Sequence, residues 1–367
     1  MTGREIPKRR DARSATVAVT GLNATDNPGP GVAVIRALRA DPDFRGRIVG
    51  LAYDSLDPGI YARDLCDDVF LVPYPSRGSE ALLGRLDYIA RRVGAIDALI
   101  PTLDAELAGF IALEPQLRRR GVHTLLPSRA QLDARSKVNL AELGAAAGFD
   151  VPHTCVLSSP RDLYTLHEQI PFPLVIKGLY YGATVVHDVT AAFAAFHRIV
   201  AEWGYPVIAQ QLVAGEELDV LAVGNGDGGL VGALPMKKTT LTDKGKGWAG
   251  VTVRDPHLLE LAARFVEHTQ WRGPCEVEVM RTRDGRYYVI EINPRFPAWC
   301  YLSAGAGMNL PYAVLRLALG DAVEPLCSYE VGTMFVRIAL DQIASLEQLS
   351  AITQHGELAV TSEERVA

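Results

Sequence analysis

The stretch "YVIEINPRFPAWC", residues 288–300, combines the pattern of a buried strand with three polar side chains. Its first half is apolar and partly β-branched, which favours a strand. Within five residues, however, it also carries Glu291, Asn293 and Arg295. Side chains two positions apart on a strand point to the same face, so Glu291 and Asn293 share one. Pro294 ends the strand, and the polar residues therefore predict a functional site at this point.

The preceding segment "CEVEV", residues 275–279, predicts the partner strand. The turn "RDGR", residues 283–286, would join the two strands as an antiparallel hairpin. Glu278 then comes roughly opposite Glu291. Glu276 lies two residues before Glu278 and so shares the same face of that strand. Like charges opposite each other destabilise a sheet, so these acids need a cation. Mg²⁺, which prefers oxygen ligands, fits best, and a solvent-exposed acidic face is the alternative.

Two lysines lie where they could meet an anion. Lys177 ends the apolar strand "PLVIK" and precedes "GLYYGAT", a turn that contains glycine. A lysine at this place suits nucleotide phosphates, with backbone N–H groups of the turn as further donors. Lys137 lies at the start of a predicted helix in "ARSKVN". Taken singly, Lys177 is equally compatible with a solvated surface, and for Lys137 a solvated surface position is the favoured interpretation.

A basic segment, "MKKTTLTDKGKGWAG", spans residues 236–250. It carries Lys237, Lys238, Lys244 and Lys246 among small residues. The segment is either an exposed loop or a mobile cationic flap over a polyphosphate.

The segment "VIAQQLVAGEELD", residues 207–219, predicts a strand end followed by a turn. Such a segment can offer backbone N–H and C=O groups to the edge of an adenine, with apolar side chains against its face. Glu217 could accept hydrogen bonds from ribose hydroxyls, although acids in turns are common without any such role. The candidate adenine contacts are Gln210, Gln211, Leu212 and Val213.

The order of elements predicts an α/β protein with two kinds of sheet. Residues 15–125 alternate short apolar strands with amphipathic helices, which indicates a parallel, Rossmann-like unit. Beyond residue 126 the strands follow one another closely and should pair antiparallel. Residues 128–148 predict one helical run closing at Gly148, and residues 190–204 a helix capped by Thr190.

Dinucleotide binding is the tempting interpretation of the first turn, "TGLNATDNPGPG", residues 20–31. The turn is rich in glycine, and Asp54 ends the second strand. No GxGxxG is present, however, and two prolines interrupt a long turn, so a scaffold or substrate-side turn is favoured over NAD binding.

Composition excludes several classes of protein. The 367-residue chain has a net charge of −6, which argues against a nucleic-acid partner held by phosphate contacts. No run of about 18 apolar residues occurs, so we expect no membrane partner. The five cysteines form no CxxC, which indicates a reduced, cytoplasmic protein. Residues 1–14 are polar and basic and predict a disordered tail rather than a signal peptide.

The order of these features resembles the ATP-grasp superfamily over nearly the whole chain. The most specific piece is "EINPR", and "YLSAGAGMNLP", residues 301–311, looks like the carbamoyl-phosphate-synthetase and biotin-carboxylase branch. The resemblance implies a Rossmann-like pre-ATP-grasp domain at 15–125, followed by an ATP-grasp fold of two α+β subdomains at 126–320. Residues 153–212 would be its lid, and residues 321–367 a C-terminal segment packing on the ATP-grasp core.

The resemblance also implies roles for individual residues. Lys137 and Lys177 would bind the ATP phosphates, with Lys238 as a further candidate. Gln210 to Val213 would bind the adenine and Glu217 the ribose. The implied metal ligands are Glu278, Glu291 and Asn293, with Glu276 beside the metal, and Arg295 would stabilise the transferred phosphoryl group.

Three features depart from the family pattern. The turn after Lys177 is poorer in glycine, and Gln210 replaces the usual hinge glutamate. Pro297 and Trp299 stand where relatives often have small residues, so "FPAWC" predicts a distinctive acceptor pocket bordered by residues 296–301.

The implied activity is that of a carboxylate–amine ligase that uses ATP and Mg²⁺, with Mn²⁺ as a substitute. A carboxylate would be phosphorylated and then attacked by an amine, and a homodimer is allowed. The alternatives are an enzyme that uses bicarbonate, as carboxylases do, and a non-catalytic regulator that binds a nucleotide or NAD. The chain has no biotin-attachment Met-Lys-Met segment.

Overall fold

The computed structural model describes residues 11–25, 28–62, 64–179, 182–242 and 245–359. Within these ranges the strands are β1 Thr16–Thr20, β2 Arg47–Ala52, β3 Asp68–Leu71, β4 Ala98–Ile100, β5 Thr154–Leu157, β6 Leu174–Gly178, β7 Ala183–Val186, β8 Val207–Gln211, β9 Glu216–Asn225, β10 Leu230–Leu241, β11 Gly247–Thr252, β12 Arg272–Arg281, β13 Tyr287–Asn293, β14 Met334–Val336 and β15 Glu357–Ala359. The helices are α1 Gly31–Ala40, α2 Ser79–Val93, α3 Asp104–Arg119, α4 Arg129–Ala134, α5 Leu140–Ala147, α6 Leu166–Gln169, α7 Val189–Trp203, α8 Pro256–Thr269, α9 Tyr301–Gly305, α10 Leu310–Ala318 and α11 Leu346–His355.

The chain divides into two compact units. Unit 1 comprises Met1–Arg129, Leu221–Glu276 and Asn293–Ala367, and unit 2 comprises Ala130–Val220 and Val277–Ile292. The division falls within β9, β12 and β13, which belong to a six-stranded sheet of order β13-β12-β9-β10-β11-β14. It thus differs from the predicted boundaries at residues 125 and 320, and the domain roles assigned from the sequence stay predictions.

Unit 1 begins with a sheet of order β15-β3-β2-β1-β4. Strands β1 to β4 are parallel, as the alternation of strands and helices predicted. Val17 of β1 is aligned on Ile48 of β2 and on Ala98 of β4. Buried aliphatic side chains of these strands pack with α1 in one core and with α2 and α3 in another. Classification of this part as Rossmann-like stays a prediction.

The predicted disordered tail is wrong for residues 11–14. Ala12–Ser14 form a 3₁₀ turn capped by Asp11, and Ala12 is buried in the core of unit 1. A small apolar residue within a polar, basic run carries too little periodicity to be recognised as core from the sequence. Residues 1–10 lie outside the described residues.

A buried carboxylate joins the ends of β1 and β4. Glu106, near the start of α3, accepts hydrogen bonds from the backbone N–H of Thr102 at 2.7 Å and of Leu103 at 2.9 Å. The hydroxyls of Thr20 and Tyr53 also donate to it. The carboxyl edge of the parallel sheet is therefore held by one acid.

The C-terminal segment returns to the parallel sheet. Helix α11 buries Ile352 in the core of unit 1, and β15 pairs antiparallel with β3. Glu357 anchors this strand by accepting from Tyr88 at 2.9 Å and from Arg92 at 2.8 Å. Strand β14 of the same segment pairs with β11 and lies in the six-stranded sheet rather than in the parallel sheet. That the segment packs on the ATP-grasp core stays a prediction.

Unit 2 contains an antiparallel sheet of order β5-β8-β6-β7. The hairpin predicted for residues 171–188 is confirmed, with Lys177 aligned on Ala183. Helix α7 buries Phe196 and Ile199 in the core of this unit. Its N-cap is Asp188 rather than the predicted Thr190, since the Asp188 carboxylate accepts from the N–H of Ala191 at 2.8 Å.

The predicted helical run at residues 128–148 is broken into α4 and α5. Between them the backbone turns, with the N–H of Asn139 donating to the carbonyl of Ser136 at 2.9 Å. The Asn139 side chain also donates to the carbonyl of Asp133 at 3.0 Å, a bond that competes with helix continuation. The predicted end at Gly148 is confirmed, because this glycine is left-handed at the C-terminus of α5.

Candidate active site

The first group of candidate residues lies in unit 2 and centres on Lys177. This lysine ends β6 and is only 8% exposed. Its Nζ donates to Oε1 of Gln210 at 2.6 Å. The two residues are neighbours because β6 and β8 are adjacent antiparallel strands. A buried cation is thus hydrogen-bonded to a neutral amide rather than paired with an acid.

The orientation of the Gln210 amide is fixed by the hydrogen bond that its nitrogen makes. Nε2 of Gln210 donates to Oγ1 of Thr154 at 3.2 Å, and that hydroxyl donates to the carbonyl of Pro152 at 2.8 Å. Strand β8 lies between β5 and β6, so one glutamine can bridge to both neighbours. The carbonyl oxygen of Gln210 is therefore the atom that faces Lys177.

Lys137 and Glu291 form an ion pair within the same unit. Nζ of Lys137 lies 3.2 Å from Oε1 of Glu291, and both side chains are largely buried, at 12% and 23% exposure. The turn that breaks the predicted helix carries Lys137, so the departure from helical structure is what presents this lysine to β13.

The electrostatics indicate that these charges lie close together. Burial lowers the pKa of Lys177, and the nearby Lys137 lowers it further. The charges of Glu291, Glu278 and Glu217 oppose this shift. Burial raises the pKa of Glu291, Lys137 opposes that shift, and Glu278 adds to it. Unit 2 therefore brings together the two predicted phosphate-binding lysines and three of the predicted acids.

The predicted adenine segment follows β8. The backbone N–H of Gln211 donates to the carbonyl of His153 at 2.8 Å, so this N–H is already used within the sheet. Leu212 and Val213 follow the end of the strand. Glu216 pairs with Arg281, whereas the charge of the next residue, Glu217, acts on Lys177.

The second group lies in unit 1 and centres on Glu276, a carboxylate that is 5% exposed. Its Oε2 accepts from Nδ2 of Asn293 and from the Arg295 guanidinium, each at 3.0 Å. Its Oε1 accepts from the indole N–H of Trp299 at 2.7 Å. Glu276 therefore fixes three side chains of the "NPRFPAW" stretch, a role the sequence did not reveal.

Arg295 is held between two carboxylates. Its Nε donates to Oδ2 of Asp104 at 3.1 Å, opposite the bond to Glu276. Burial lowers the pKa of Arg295, but the charges of Asp104 and Glu276 together raise it above its usual value. Asp104 had not been identified, although its position at the start of α3, four residues after the parallel strand β4, was the available signal.

Lys246 and Arg337 carry two further cationic groups in unit 1. Burial lowers the pKa of Lys246, and the nearby charge of Arg295 adds to this shift. Burial also lowers the pKa of Arg337, whose Nε donates to the carbonyl of Gly247 at 2.8 Å. Lys246 had been assigned only to a basic segment, and Arg337 had not been considered.

The basic segment at residues 236–250 is mainly a strand pair rather than a loop. Lys237 and Lys238 belong to β10, where Lys238 is aligned on Gly250 of β11. Lys244 lies outside the described residues. A run with several lysines and glycines hides a strand from sequence patterns, because both residue types are depleted in strands.

The "FPAWC" residues are core rather than the wall of an open pocket. Phe296 and Cys300 are fully buried, and Trp299 is 5% exposed. All three pack in the main core of unit 1. Their influence on the site is therefore exerted through the Trp299–Glu276 hydrogen bond.

The parts of the chain that the structure describes contain no cluster of three or more His, Cys, Asp or Glu side chains arranged to hold a metal. The predicted set has two carboxylates, Glu278 and Glu291, and one amide, Asn293. Nδ2 of Asn293 donates a hydrogen bond to Glu276, so the amide atom suited to a metal is Oδ1.

Comparison with known proteins shows what this chain is similar to. Residues 205–337 match a family described as "ATP-grasp in the biosynthetic pathway with Ter operon". A D-alanine–D-alanine ligase of Stutzerimonas stutzeri (strain A1501) is 26% identical over 174 residues, covering 44% of this chain and 55% of that protein. A probable α-L-glutamate ligase of Xanthomonas oryzae pv. oryzae (strain MAFF 311018) is 34% identical over 119 residues, covering 32% and 40%.

A solved structure extends the likeness to the fold. The complex of biotin carboxylase from Campylobacter jejuni with βγ-ATP superposes with a TM-score of 0.67 at 16% identity, covering 88% of this chain and 75% of that one. The chain carries an ATP-grasp domain. It spans about half the length, or less, of the curated relatives above. No helix within the described ranges is long and apolar enough to cross a membrane.

Proposed function

We propose that this protein is an ATP-dependent ligase that activates a substrate carboxylate as an acyl-phosphate and couples it to an amine. The carrying observation is the group in unit 2, where Lys177 and the Lys137–Glu291 ion pair lie within the electrostatic reach of Glu278 and Glu217. Lysines for phosphate oxygens beside carboxylates for a divalent cation are the recurring requirements of phosphoryl transfer.

ATP would be bound mainly by unit 2. Lys137 and Lys177 would contact its phosphates, and the backbone after Gln211 its adenine. Glu217 would accept from the ribose hydroxyls. Lys238 of β10 is proposed as an additional phosphate contact.

The donor set fits magnesium in its chemistry. Glu278 and Glu291 supply carboxylate oxygens and Asn293 an amide oxygen, which are hard ligands of the kind that Mg²⁺ prefers. The ion pair at 3.2 Å shows that Glu291 is already matched by a cation, Lys137, which a phosphate would draw away. When bound, Mg²⁺, or Mn²⁺ in its place, neutralises phosphate charge during transfer.

The proposed reaction has two steps. An oxygen of the substrate carboxylate attacks the γ-phosphorus, the bond to the ADP oxygen breaks, and an acyl-phosphate forms. The amine nitrogen then attacks the acyl carbon, phosphate leaves, and the nitrogen loses one proton. Arg295, fixed by Asp104 and Glu276, would neutralise charge on the phosphoryl group. Residues 153–212 are the proposed lid that excludes water from the acyl-phosphate.

The names of the two relatives described above favour ligation over carboxylation. Two of them are called ligases, of D-alanine and of α-L-glutamate, so amino acids are the first substrates to test. The biotin carboxylase likeness is at 16% identity and supports the fold alone.

The decisive experiment is a screen for ADP release over pairs of carboxylates and amines, beginning with amino acids. The Glu291→Gln variant is the inactive control, and Glu216→Gln, whose partner is Arg281 on the protein surface, is the matched active control. We expect ADP release that requires both substrates and is lost only in Glu291→Gln. ADP release with bicarbonate and no amine would favour a carboxylase, and binding of NAD(H) without binding of ATP would refute the ligase proposal.

A further inference from the structure

Residues 331–346, here called the apolar strip, expose an unusual number of large apolar side chains. Seven such side chains fall in this stretch, from Val331 at 43% exposure to Ile343 at 81%. Apolar residues scattered singly over a surface need no explanation, but a contiguous set marks an interaction site. The only charged residues of the strip are Arg337 and Asp341.

The strip begins on one face of β14. Met334, Val336 and Ile338 are 58%, 61% and 72% exposed, whereas the intervening Phe335 packs against the core of unit 1. This alternation is that of a strand with one buried face. The outer face of β14 and its continuation is therefore apolar without being covered by any described part of unit 1.

The backbone of β14 presents an open edge. The carbonyl of Thr333 accepts from Thr252 at 2.8 Å, and the N–H of Arg337 donates to Trp248 at 3.0 Å. Odd-numbered residues thus face β11, and the N–H and C=O groups of Met334, Val336 and Ile338 face away from it. Strand β14 ends the order of its sheet among the described strands.

Among the residues that the structure describes, the usual protection of an open edge is missing here. Natural edge strands carry lysine, proline or a covering element that prevents pairing with another chain. The strip contains no lysine and no proline. Its arginine, Arg337, turns inward to the carbonyl of Gly247 at 2.8 Å.

We propose that β14 pairs antiparallel with β14 of a second copy of this chain, which makes one continuous sheet across a two-fold dimer. A two-fold axis at Val336 aligns Met334 with Ile338 of the second copy, so apolar side chains meet apolar side chains on the same face. Self-pairing also uses every outward backbone group of the edge.

The size of the strip suits such a dimer. A large aliphatic side chain carries about 100 Å² of apolar surface, and the seven side chains therefore offer at most on the order of 700 Å² per copy. A standard stable interface buries roughly 800 Å² per partner. The apolar surface that the strip offers is thus of the size that one side of a standard interface uses.

The test is the molecular mass in solution, measured by analytical ultracentrifugation over a range of micromolar concentrations. The wild-type chain should sediment as a dimer and the double variant Val336→Lys with Ile338→Lys as a monomer, because both lysines would lie in the interface. Leu56→Lys, at a leucine that is 69% exposed elsewhere in unit 1, is the matched control and should stay dimeric.

Cross-linking provides a second readout that does not depend on the lysine variants folding. Val336→Cys should form a disulfide with its own copy under mild oxidation, since hydrogen-bonded antiparallel pairs hold Cα atoms about 5.5 Å apart, within disulfide range. The exposed Cys327 is replaced by serine in this background, and Leu56→Cys is the control.

Three outcomes would overturn the proposal. They are a wild-type chain that is monomeric at all concentrations, a dimer that survives both lysines, and a Val336→Cys chain that cross-links no faster than Leu56→Cys. A monomeric wild type would assign the strip to a different partner. ADP release measured on the same samples keeps this result separate from the proposed ligase activity.

Discussion

At the level of single residues, the most informative contact is the one between Lys177 and Gln210. A glutamate at position 210 would place a negative charge within hydrogen-bonding distance of the buried amine. The glutamine satisfies one N–H of Lys177 at 2.6 Å but leaves its charge uncompensated by this partner. The departure from the family pattern noticed in the sequence therefore concerns the proposed phosphate-binding lysine as well as the proposed adenine contact.

Replacing Gln210 by leucine should destabilise the protein. Lys177 would lose its acceptor while staying buried, and leaving a buried charged donor unsatisfied costs about 1–3 kcal/mol. Gln211→Leu is the matched control, because its exposed side chain accepts only a solvent-accessible hydrogen bond from the N–H of His153 at 3.2 Å, and its loss should stay within about 0.5 kcal/mol. Urea denaturation of both variants measures the free energy of unfolding, and equal losses would show that the Lys177 contact contributes nothing.

The acids of the proposed metal site give a second prediction. Glu278→Ala and Glu291→Ala should each reduce turnover by about a hundredfold or more, because each removes a ligand that holds charge-neutralising Mg²⁺. Circular dichroism and melting should show an intact fold. Full activity in either variant would contradict a site built on both carboxylates.

At the level of elements, helix α7 shows how a cap can be misassigned by two residues. Asp188 and Thr190 are both good capping residues, and the sequence alone favoured the threonine next to the alanine-rich run. The structure uses Asp188, which has an extended backbone and accepts from Ala191. The helix therefore begins one residue earlier, at Val189.

Alanine substitutions at these two positions should separate the alternatives. Asp188→Ala should lower the free energy of unfolding by about 1 kcal/mol, since an N-cap hydrogen bond is lost. Thr190→Ala should change it little or raise it slightly, because alanine is the better helix former. Thermal melting of the two variants is sufficient, and a larger loss in Thr190→Ala would assign the cap to the threonine.

Patterns that repeat within an element were predictable, and contacts between distant segments were not. An apolar run, a glycine-containing turn and a second strand-like run located β6, β7 and the hairpin of residues 171–188, because such runs are local in sequence. The pairing of Lys177 with Gln210 depends on strand order, and that of Glu276 with Trp299 on how the chain turns after Pro294. Neither leaves a local signal, so the sequence identified the residues of the candidate site but few of their partners.

At the level of the whole molecule, residues 346–359 pack against the first part of unit 1. Strand β15 extends the parallel sheet at β3, and Ile352 of α11 fills the same core as Ala12. Unit 1 is thus assembled from three separated stretches of sequence. We expect its stability to respond as a whole to changes in any one of them.

The pH dependence of unfolding offers a test of the buried Glu106 carboxylate at the carboxyl edge of the parallel sheet. Burial raises the pKa of Glu106, which the hydroxyls and N–H groups around it only partly offset. The folded chain therefore holds this proton more tightly than the unfolded chain. Its contribution to stability is fully present below the unfolded pKa of about 4.3 and is lost as the pH rises through the folded pKa.

The Glu106→Gln variant removes this ionisation while keeping the size of the side chain. Relative to this variant, the wild type should lose stability as the pH rises from about 4.3 towards neutrality. Denaturant titrations of both proteins at several pH values measure the difference. A difference that stays constant with pH would show that Glu106 ionises in the folded chain as it does in the unfolded chain.

The Glu276 carboxylate has a consequence for how this protein can evolve or be redesigned. Three donors, from Asn293, Arg295 and Trp299, all end on its two oxygens. Replacing any one of them alters the orientation of the others, so selection should favour compensating changes at position 276. In a library of variants, the residues at positions 276, 293, 295 and 299 should therefore change together or not at all. Altered specificity should arise more readily at positions that do not contact this carboxylate.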